Sequence, residues 1–543
     1  MSYQPFLIAD LRTGLDLGME PWLLPKDAFT LLQDAFVYQG VLQKRKGQSL
    51  FAVTATQEGT AITGIMPVVN ATTGTENLLV ADIDWLYLYN SDTGFLSKLS
   101  HSTDTTEAVV FEDTDGCEFT DTAGCVFTTT YHYGENFSGD STALINWQNW
   151  DGTIYLTNDT DNIQSYDGST YQDLTPDTGG GNTVTKCAHI MLNKERLILF
   201  NTDESGDGRE AQRARWCKAG DPTDWTNDGY VDAPTSEWIR GASYFKDDIL
   251  VWFDKSVWLL RYTGNSDLPF RWEKISGLDG CSAPFSAVEF QGAGTALGKD
   301  GPVFCDGMNV QKTDAKIPGL SLSFATEYIE TCYSAVLEDL KQLWILHPSA
   351  GATAPDKALV FQYQDFAWSI YNLALQCIGF YEVSQTVRWS DLTEAWEANT
   401  LSWVSSASQS GYPVALGGDA TGSVWKLNDT GTDVTSSDIG FEVKTGRWNP
   451  FKEQGQKARL GYVDFLVTTG AYSLDVEFLH DMAGSSVSGV IDFDQDGEKA
   501  WVRIFVNTIG NFHQIRLSHS ESNQPIEIHA IMPWFAPAGR MLI

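Results

Sequence analysis

The apolar residues of this chain fall in short runs that are rich in β-branched and aromatic side chains. The clearest pair is residues 249–253 and 256–262, which only Asp254 and Lys255 separate. Such runs are typical of β-strands, and the two-residue gap between them predicts a tight hairpin. The pattern therefore indicates a β protein whose strands are joined by short turns.

Similar pairs of runs recur at intervals of about 40 to 60 residues, which is near the blade period of known propellers. The polar turns that they flank are residues 82–84, 149–152, 193–195, 298–301, 338–339, 364–365 and 417–422. No strict motif repeats among them. We predict an all-β chain that forms a β-propeller of roughly six to eight irregular blades.

After Asn428 the pattern changes to strands that alternate apolar and polar residues, as in a half-buried antiparallel sandwich. This divides the chain into an N-terminal arm at 1–51, a β-propeller with loop insertions at 52–429, and a C-terminal β-sandwich domain at 430–543. Residues 532–540 contain two prolines, which lack the N–H that a strand ladder uses. We expect this last segment to leave the regular strand.

The charge of the chain bears on its partners, since 71 acidic residues against 35 basic ones give a net charge of −36. Nucleic acid is held through lysine and arginine on phosphates, so this balance argues against tight DNA binding. No run of eighteen apolar residues predicts a membrane-spanning helix. The first residues lack a signal-peptide pattern, so we expect synthesis in a cytosol.

Motifs of catalytic or metal chemistry are incomplete in this sequence. Residues 492–497 match the first half of an EF-hand loop, but Arg503 stands where a bidentate glutamate is needed. The eight cysteines form no Cys-x-x-Cys pair, so buried free thiols are expected. A tandem repeat at 113–128 predicts a loop, with a Cys117–Cys125 bridge or a host contact as alternatives. We assign no catalytic, metal or cofactor-binding residue and no cofactor.

Residues 40–47, Gly-Val-Leu-Gln-Lys-Arg-Lys-Gly, resemble a run in the tail nozzle, or tail-tube, proteins of short-tailed bacteriophages. Residues 213–216, 220–225 and 258–264 and the late Gly539-Arg540 also look like phage tail sequences. The resemblance implies a structural virion component, made in the bacterial cytoplasm and located in the virion tail. It implies a homo-oligomeric ring, expected to be a hexamer, that conducts DNA nonspecifically during ejection. The implied partners are other tail proteins on the adaptor or portal side and the fibres.

Two groups of residues are singled out for later comparison with the structure. We expect the basic cluster Lys44, Arg45 and Lys46 to contact an acidic face of a neighbouring subunit or of the ring above, the alternative being a solvated basic turn. The residues expected to form structural core are Arg213, Trp216, Trp225, Trp252 and Trp258.

Three functions remain open at this point. The first is the nozzle subunit, and with it the expectation that the chain is not an enzyme. The second is a propeller that binds a host glycan through exposed tryptophan and tyrosine, as an adhesin does. The third is a propeller glycoside hydrolase, since 71 carboxylates leave a catalytic pair open.

Overall fold

The computed structural model describes most of the chain and shows a fold built almost entirely from β-strands. The described residues are 3–541 apart from 53–55, 57–58, 71–74, 92, 103–105, 108–128, 131–135, 227–228, 278, 383–412, 430–432, 434–436, 469–472, 482–484, 493–498 and 522–524. The tandem repeat at 113–128 lies outside them. No helix within these residues is long and apolar enough to cross a membrane.

The N-terminal arm supplies six short strands. They are β1 (Gln4–Pro5), β2 (Gly14–Leu15), β3 (Ala28–Gln33), β4 (Ala35–Tyr38), β5 (Val41–Lys44) and β6 (Gly47–Leu50). None of them forms a separate arm sheet: each pairs, directly or through a neighbour, with a strand of the propeller or of the C-terminal domain. The arm therefore connects the two larger parts of the molecule.

Seven antiparallel blades follow one another along the described chain; six are separate small sheets, and blade 6 is part of a larger sheet. Blade 1 contains β7 (Ile62–Asn70), β8 (Thr75–Asp82), β9 (Leu86–Asn90) and β10 (Phe95–Lys98). After the small pair β11 (Thr106–Glu107) and β12 (Thr129–Thr130), blade 2 contains β13 (Asn146–Trp150), β14 (Thr153–Thr157), β15 (Gln164–Tyr166) and β16 (Tyr171–Asp173). Blade 3 contains β17 (Asp177–Gly179), β18 (Asn182–Asn193), β19 (Arg196–Glu204), β20 (Gly208–Trp216) and β21 (Tyr230–Asp232).

The remaining blades have the same form. Blade 4 contains β22 (Ile239–Phe245), β23 (Asp248–Phe253), β24 (Val257–Tyr262) and β25 (Phe270–Ser276). Blade 5 contains β26 (Val288–Phe290), β27 (Ala293–Leu297), β28 (Pro302–Cys305) and β29 (Val310–Lys312). Blade 6 contains β30 (Tyr333–Leu337), β31 (Gln342–His347), β32 (Lys357–Gln362) and β33 (Ala367–Asn372), and blade 7 contains β34 (Cys377–Tyr381), β35 (Val414–Gly418), β36 (Val424–Asp429) and the arm strand β6.

The blades form a closed ring. The innermost strands β7, β13, β18, β22, β26, β30 and β34 contact one another in that order, and β34 also contacts β7. Within blade 7, Trp425 of β36 pairs with Leu50 of β6, so an early strand completes the last blade. The prediction of a β-propeller is confirmed. The ring is closed within blade 7, whose strand β6 comes from the arm that precedes the propeller in the sequence.

The C-terminal domain is a pair of sheets that shares strands with the arm. Its strands are β37 (Phe441–Thr445), β38 (Gln456–Thr468), β39 (Ser473–His480), β40 (Ser485–Asp492), β41 (Lys499–Gly510), β42 (His513–His519) and β43 (Glu527–Arg540). One sheet has the order β4-β5-β43-β38-β41 with β1 beside β43, and the other runs from blade 6 through β3 into β37-β42-β39-β40. The arm strand β3 therefore joins propeller and C-terminal domain in one continuous sheet.

The expectation that residues 532–540 leave the strand is wrong, because β43 continues through Pro533 and Pro537. Register shifts in the partner strand β38 lie beside both prolines, at Gln456/Lys457 and Leu460/Tyr462. Irregular pairing of this kind tolerates a residue that donates no hydrogen bond.

Short 3-10 helices precede two innermost strands. They span Pro284–Ser286 before β26 and Leu320–Ser323 and Thr326–Thr331 before β30, and a fourth spans Lys452–Gln454.

Phe324, beside the second of these helices, stacks on the His347 ring with a centroid distance of 3.7 Å. Burial lowers the pKa of His347 to about 4.

We expect this buried histidine to make stability depend on pH. The unfolded chain binds a proton on His347 below about pH 6.5, whereas the folded chain does so only near pH 4. Stability should therefore fall by roughly 3 kcal/mol as pH is lowered through this window. Unfolding by denaturant at pH 7, 6, 5 and 4 measures it. The variant His347→Gln should lose less stability over the same range, and parallel curves for both proteins would contradict the assignment.

Candidate functional site

The topology of the blades collects side chains at one end of the propeller. The first and second strands of a blade are antiparallel, so the start of one and the end of the other lie at the same edge. A cavity of about 490 Å³ lies at this end. It is lined by the segments before β13, β22, β26 and β30, the segment after β14 and residues near the end of β19. We call it the mouth pocket, and the side chains used below are Asp140, Asp159, His189, Trp238, Arg240 and Glu330.

Trp238 and Arg240 enter the pocket from the start of blade 4. The Asp254 carboxylate accepts the backbone N–H of Trp238 at 3.0 Å and the Arg240 Nε–H at 2.6 Å. Arg240 Nη1 also donates to Glu330 Oε1 at 3.3 Å. The Trp238 side chain remains 49% exposed at the rim. The pocket thus presents an indole ring next to a guanidinium group whose position is set by two carboxylates.

Asp159 and Arg209 form a second charged pair at the rim. The guanidinium of Arg209 donates to both Asp159 oxygens, at 2.6 and 2.8 Å, and its Nε donates to Asn201 Oδ1 at 2.6 Å. Asn201 sits at a register shift of β19 with a φ of 56° and donates to the Ile239 carbonyl at 3.1 Å. This bulge turns the Asn201 amide toward blade 4 and so ties the two blades together beneath the pocket.

Two further carboxylates keep an oxygen available to a ligand. Asp140 accepts the Thr142 N–H and hydroxyl through Oδ1, which holds its pKa below the ordinary value and keeps it charged. Within the described residues, Asp140 Oδ2 and Glu330 Oε2 have no hydrogen-bond partner. Charged carboxylates only accept hydrogen bonds, so both oxygens call for donor groups on a ligand.

His189 forms part of the floor. Its Nε2 lies 2.7 Å from the Arg240 carbonyl oxygen, and its ring is 97% buried. Burial lowers the pKa of His189, so the imidazole is neutral and Nε2 donates to that carbonyl. The histidine therefore supports the backbone that carries Trp238 and Arg240.

The predicted subunit-contact residues lie elsewhere, at the junction of arm, propeller and C-terminal domain. Arg45 is buried and donates to Asp34 at 2.6 Å and to Asp433 at 2.5 Å. Lys44 is also buried, with Nζ 3.0 Å from His519 Nδ1. Lys46 is exposed. Two of the three residues thus act inside the chain, and the predicted contact with a neighbouring subunit stays a prediction for Lys46.

The five predicted core residues are all buried, with exposures of 6% or less. Arg213 bonds Asp232 at 2.9 Å, contacts Glu204 at 3.2 Å and lies 3.9 Å from the Tyr230 ring centroid. Trp225 donates its indole N–H to the Pro222 carbonyl at 2.8 Å. The remaining three, Trp216, Trp252 and Trp258, lie inside blades 3 and 4 or between neighbouring blades.

The described part of the chain contains no cluster of three His, Cys, Asp or Glu side chains that could hold a metal ion. Most of the loop at 492–497 lies outside that part. The six described cysteines are all buried free thiols.

None of the mouth residues was found from the sequence, because they are far apart in it and follow no motif. Trp238 and Glu330 are 92 positions apart and come together only when blades 4 and 6 take their places in the ring. The local signal that Trp238 and Glu330 share is their position, since each of the two stands just before an innermost strand.

No family model matches the chain, and no curated protein matches it. Solved structures do match. An exo-beta-1,3-galactanase from Phanerochaete chrysosporium is 10% identical, with 79% of this chain and 100% of that chain covered and a TM-score of 0.24. A glycoside hydrolase family 43 arabinoxylan arabinofuranohydrolase from Bacillus subtilis is 10% identical, with 98% and 100% covered and a TM-score of 0.23. PorZ of Porphyromonas gingivalis is 9% identical, with 74% and 43% covered and a TM-score of 0.33.

The prediction that the chain is not an enzyme is contradicted by this comparison, because two of these three neighbours are glycoside-cleaving enzymes. Fold alone does not carry an activity from one protein to another. The function proposed next therefore rests on the side chains of the mouth pocket.

Proposed function

We propose that the chain binds a glycan in the mouth pocket of its propeller. The observation that carries this proposal is the exposed Trp238 ring at the rim of a concave site that also holds Arg240, Asp140 and Glu330. An indole ring offers a flat apolar surface to the C–H face of a sugar. Carboxylate oxygens accept from sugar hydroxyls, and the guanidinium donates to them.

The charges of the pocket narrow the kind of glycan. Arg240 is already balanced by Asp254 and Glu330, while Asp140 and Glu330 each keep an acceptor oxygen. An acidic sugar would bring a further negative charge next to these carboxylates, which is unfavourable. We therefore propose a neutral or amino sugar as the ligand.

Replacing Trp238 with alanine should weaken glycan binding at least tenfold, because the stacking surface is lost. Titration calorimetry with neutral, amino and uronic-acid oligosaccharides measures it on the full chain. Trp501→Ala is the matched control, since Trp501 is equally exposed, at 51%, but lies on the C-terminal domain. No heat of binding up to millimolar ligand, or equal binding by Trp238→Ala, would overturn the proposal.

Hydrolysis of the bound glycan is a second candidate, because the mouth pocket holds the carboxylates that glycoside cleavage uses. Asp140, whose pKa is lowered by its bonds to Thr142, suits the role of base or nucleophile, and Glu330 is a second carboxylate in the same pocket. Product release that disappears in Glu330→Gln with glycan affinity retained would establish it. If the oligosaccharide stays intact after prolonged incubation, hydrolysis is contradicted and glycan binding is the only one of these two functions that remains.

A structural role as a tail-nozzle ring in a virion is proposed on different grounds. It is supported by the resemblance at residues 40–47 and by the net charge of −36, which suits a wall that DNA must pass without sticking. Negative-stain images of the purified chain test it. Rings with a central passage are expected, and single copies at micromolar concentration would contradict this role.

A further inference from the structure

The outer face of the C-terminal sheet carries a row of aromatic side chains that extends across its strands. Pro5, Trp534, Tyr462 and Phe505 are successive register partners on β1, β43, β38 and β41. The Tyr462 ring lies 5.2 Å from Trp534 and 5.9 Å from Phe505, centroid to centroid. Phe505 is 76% exposed. A contiguous apolar surface of this kind marks an interaction site rather than an ordinary solvated face.

The same face ends in a strand that is unpaired on one side among the described residues. Among the described residues, β41 pairs with β38 on one side and with no strand on the other. It has twelve residues and no proline, and its exposed apolar side chains are Trp501, Phe505 and Ile509. Proteins normally shorten, charge or cover such an edge, since its free N–H and C=O groups pair with any available strand.

The charges on this surface permit self-association of a chain that is otherwise strongly acidic. Arg503 donates to Asp464 at 2.6 and 2.9 Å and lies 4.2 Å from the centre of the Tyr462 ring. Lys499 adds a positive charge at the start of β41. With a net charge of −36, two copies repel each other over most of their surfaces. β41 itself contains two basic residues and no acidic one, so that repulsion is reduced along this strand.

We propose that β41 is a homodimer interface, in which β41 of one copy pairs antiparallel with β41 of a second copy. The exposed apolar residues are four positions apart and symmetric about Phe505. When Phe505 stands opposite its own counterpart, Trp501 faces Ile509 of the other copy and Arg503 faces Asn507. A two-fold contact requires a self-complementary strand of this kind. Opposite residues in an antiparallel pair point to the same face, so the apolar side chains meet.

This contact is separate from both the mouth pocket and the proposed ring. It joins two copies by a two-fold axis and closes there, so a ring needs another, head-to-tail surface. Loss of the β41 contact therefore leaves glycan binding unchanged.

Sedimentation velocity of the full chain between 1 and 100 μM tests the interface. Wild type should form dimers, and Phe505→Glu should weaken dimerisation at least tenfold, with a melting temperature unchanged when both proteins are dilute enough to be monomeric. Met308→Glu is the matched control, because Met308 is 83% exposed on blade 5 and receives the same charge. Wild type that stays monomeric, or Phe505→Glu that associates like wild type, would overturn the proposal.

The register is tested by crosslinking in a Cys117→Ser/Cys125→Ser background, where the described native thiols are buried. A short bismaleimide should join two copies of Phe505→Cys at its self-opposed position. Asn507→Cys should crosslink much less, because residue 507 faces Arg503 of the other copy. Equal crosslinking of both variants would show that the copies do not meet in this register.

Discussion

Replacing Arg45 with alanine is expected to lower the free energy of unfolding by about 3–5 kcal/mol, as the loss of one member of a buried ion pair does. Arg45 is held by Asp34 Oδ1 at 2.6 Å, by Asp433 Oδ2 at 2.5 Å and by the Asn372 carbonyl at 2.9 Å. Without the guanidinium, the Asp34 carboxylate, only 1% exposed, would remain buried without its ion-pair partner. Guanidinium-induced unfolding followed by tryptophan fluorescence measures the loss.

Lys46→Ala is the control for this prediction. Lys46 is exposed and has the same charge one position further along, so its removal should cost less than about 0.5 kcal/mol. If Arg45→Ala does not fold, Arg45→Lys is the alternative variant. It keeps the positive charge but not the planar set of guanidinium N–H donors, and it should show a smaller, measurable loss of unfolding free energy. A loss below 1 kcal/mol for Arg45→Ala would show that this group is not needed to join the parts.

The position of Arg45 gives a physical reason for the basic run that resembles nozzle proteins. Its partners come from three parts of the chain: Asp34 from the arm, Asn372 from the end of blade 6, and Asp433 from the segment of the C-terminal domain that precedes β37. Lys44 reaches His519 of the C-terminal domain from the adjacent position, where burial lowers the Lys44 pKa to about 8. The run therefore joins arm, propeller and C-terminal domain within one copy.

The local features of the fold could be predicted from the sequence because they depend on neighbouring residues. The runs 249–253 and 256–262 became β23 and β24. The Gly-Asp-Pro-Thr-Asp cluster at 220–224 has the composition of a turn, and Asp221 accepts the Thr223 N–H there at 3.1 Å. Alternation and turn chemistry act over a few residues, so the sequence carries their signal.

The long-range features could not be predicted, because nothing local encodes them. The strand β6 pairs with β36 from nearly 380 positions away, and β3 joins blade 6 to the C-terminal domain. Pro25 followed by Lys26, Asp27 and Ala28 is a pattern that can open a short helix, yet a turn from Pro25 to Ala28 leads directly into β3. Tertiary pairing overrides local helix preference there. The mouth pocket depends on the same ring closure, so its residues share no sequence motif.

Replacing Trp252 with alanine is expected to cost about 3–5 kcal/mol, the range for truncating a large aromatic side chain in a core. Trp252 is 0% exposed in the middle of β23, between blades 4 and 5. Its ring lies against Gly294, where an added Cβ would come within 3.4 Å of it, so the neighbouring blade is already in contact and cannot move in to fill the space. The cavity would persist, and thermal unfolding should shift by several degrees. Trp501→Ala removes the same side chain from the exposed face of β41 and should leave the melting temperature of dilute, monomeric protein nearly unchanged. Equal melting temperatures for Trp252→Ala and wild type would show that blades 4 and 5 do not pack around this residue.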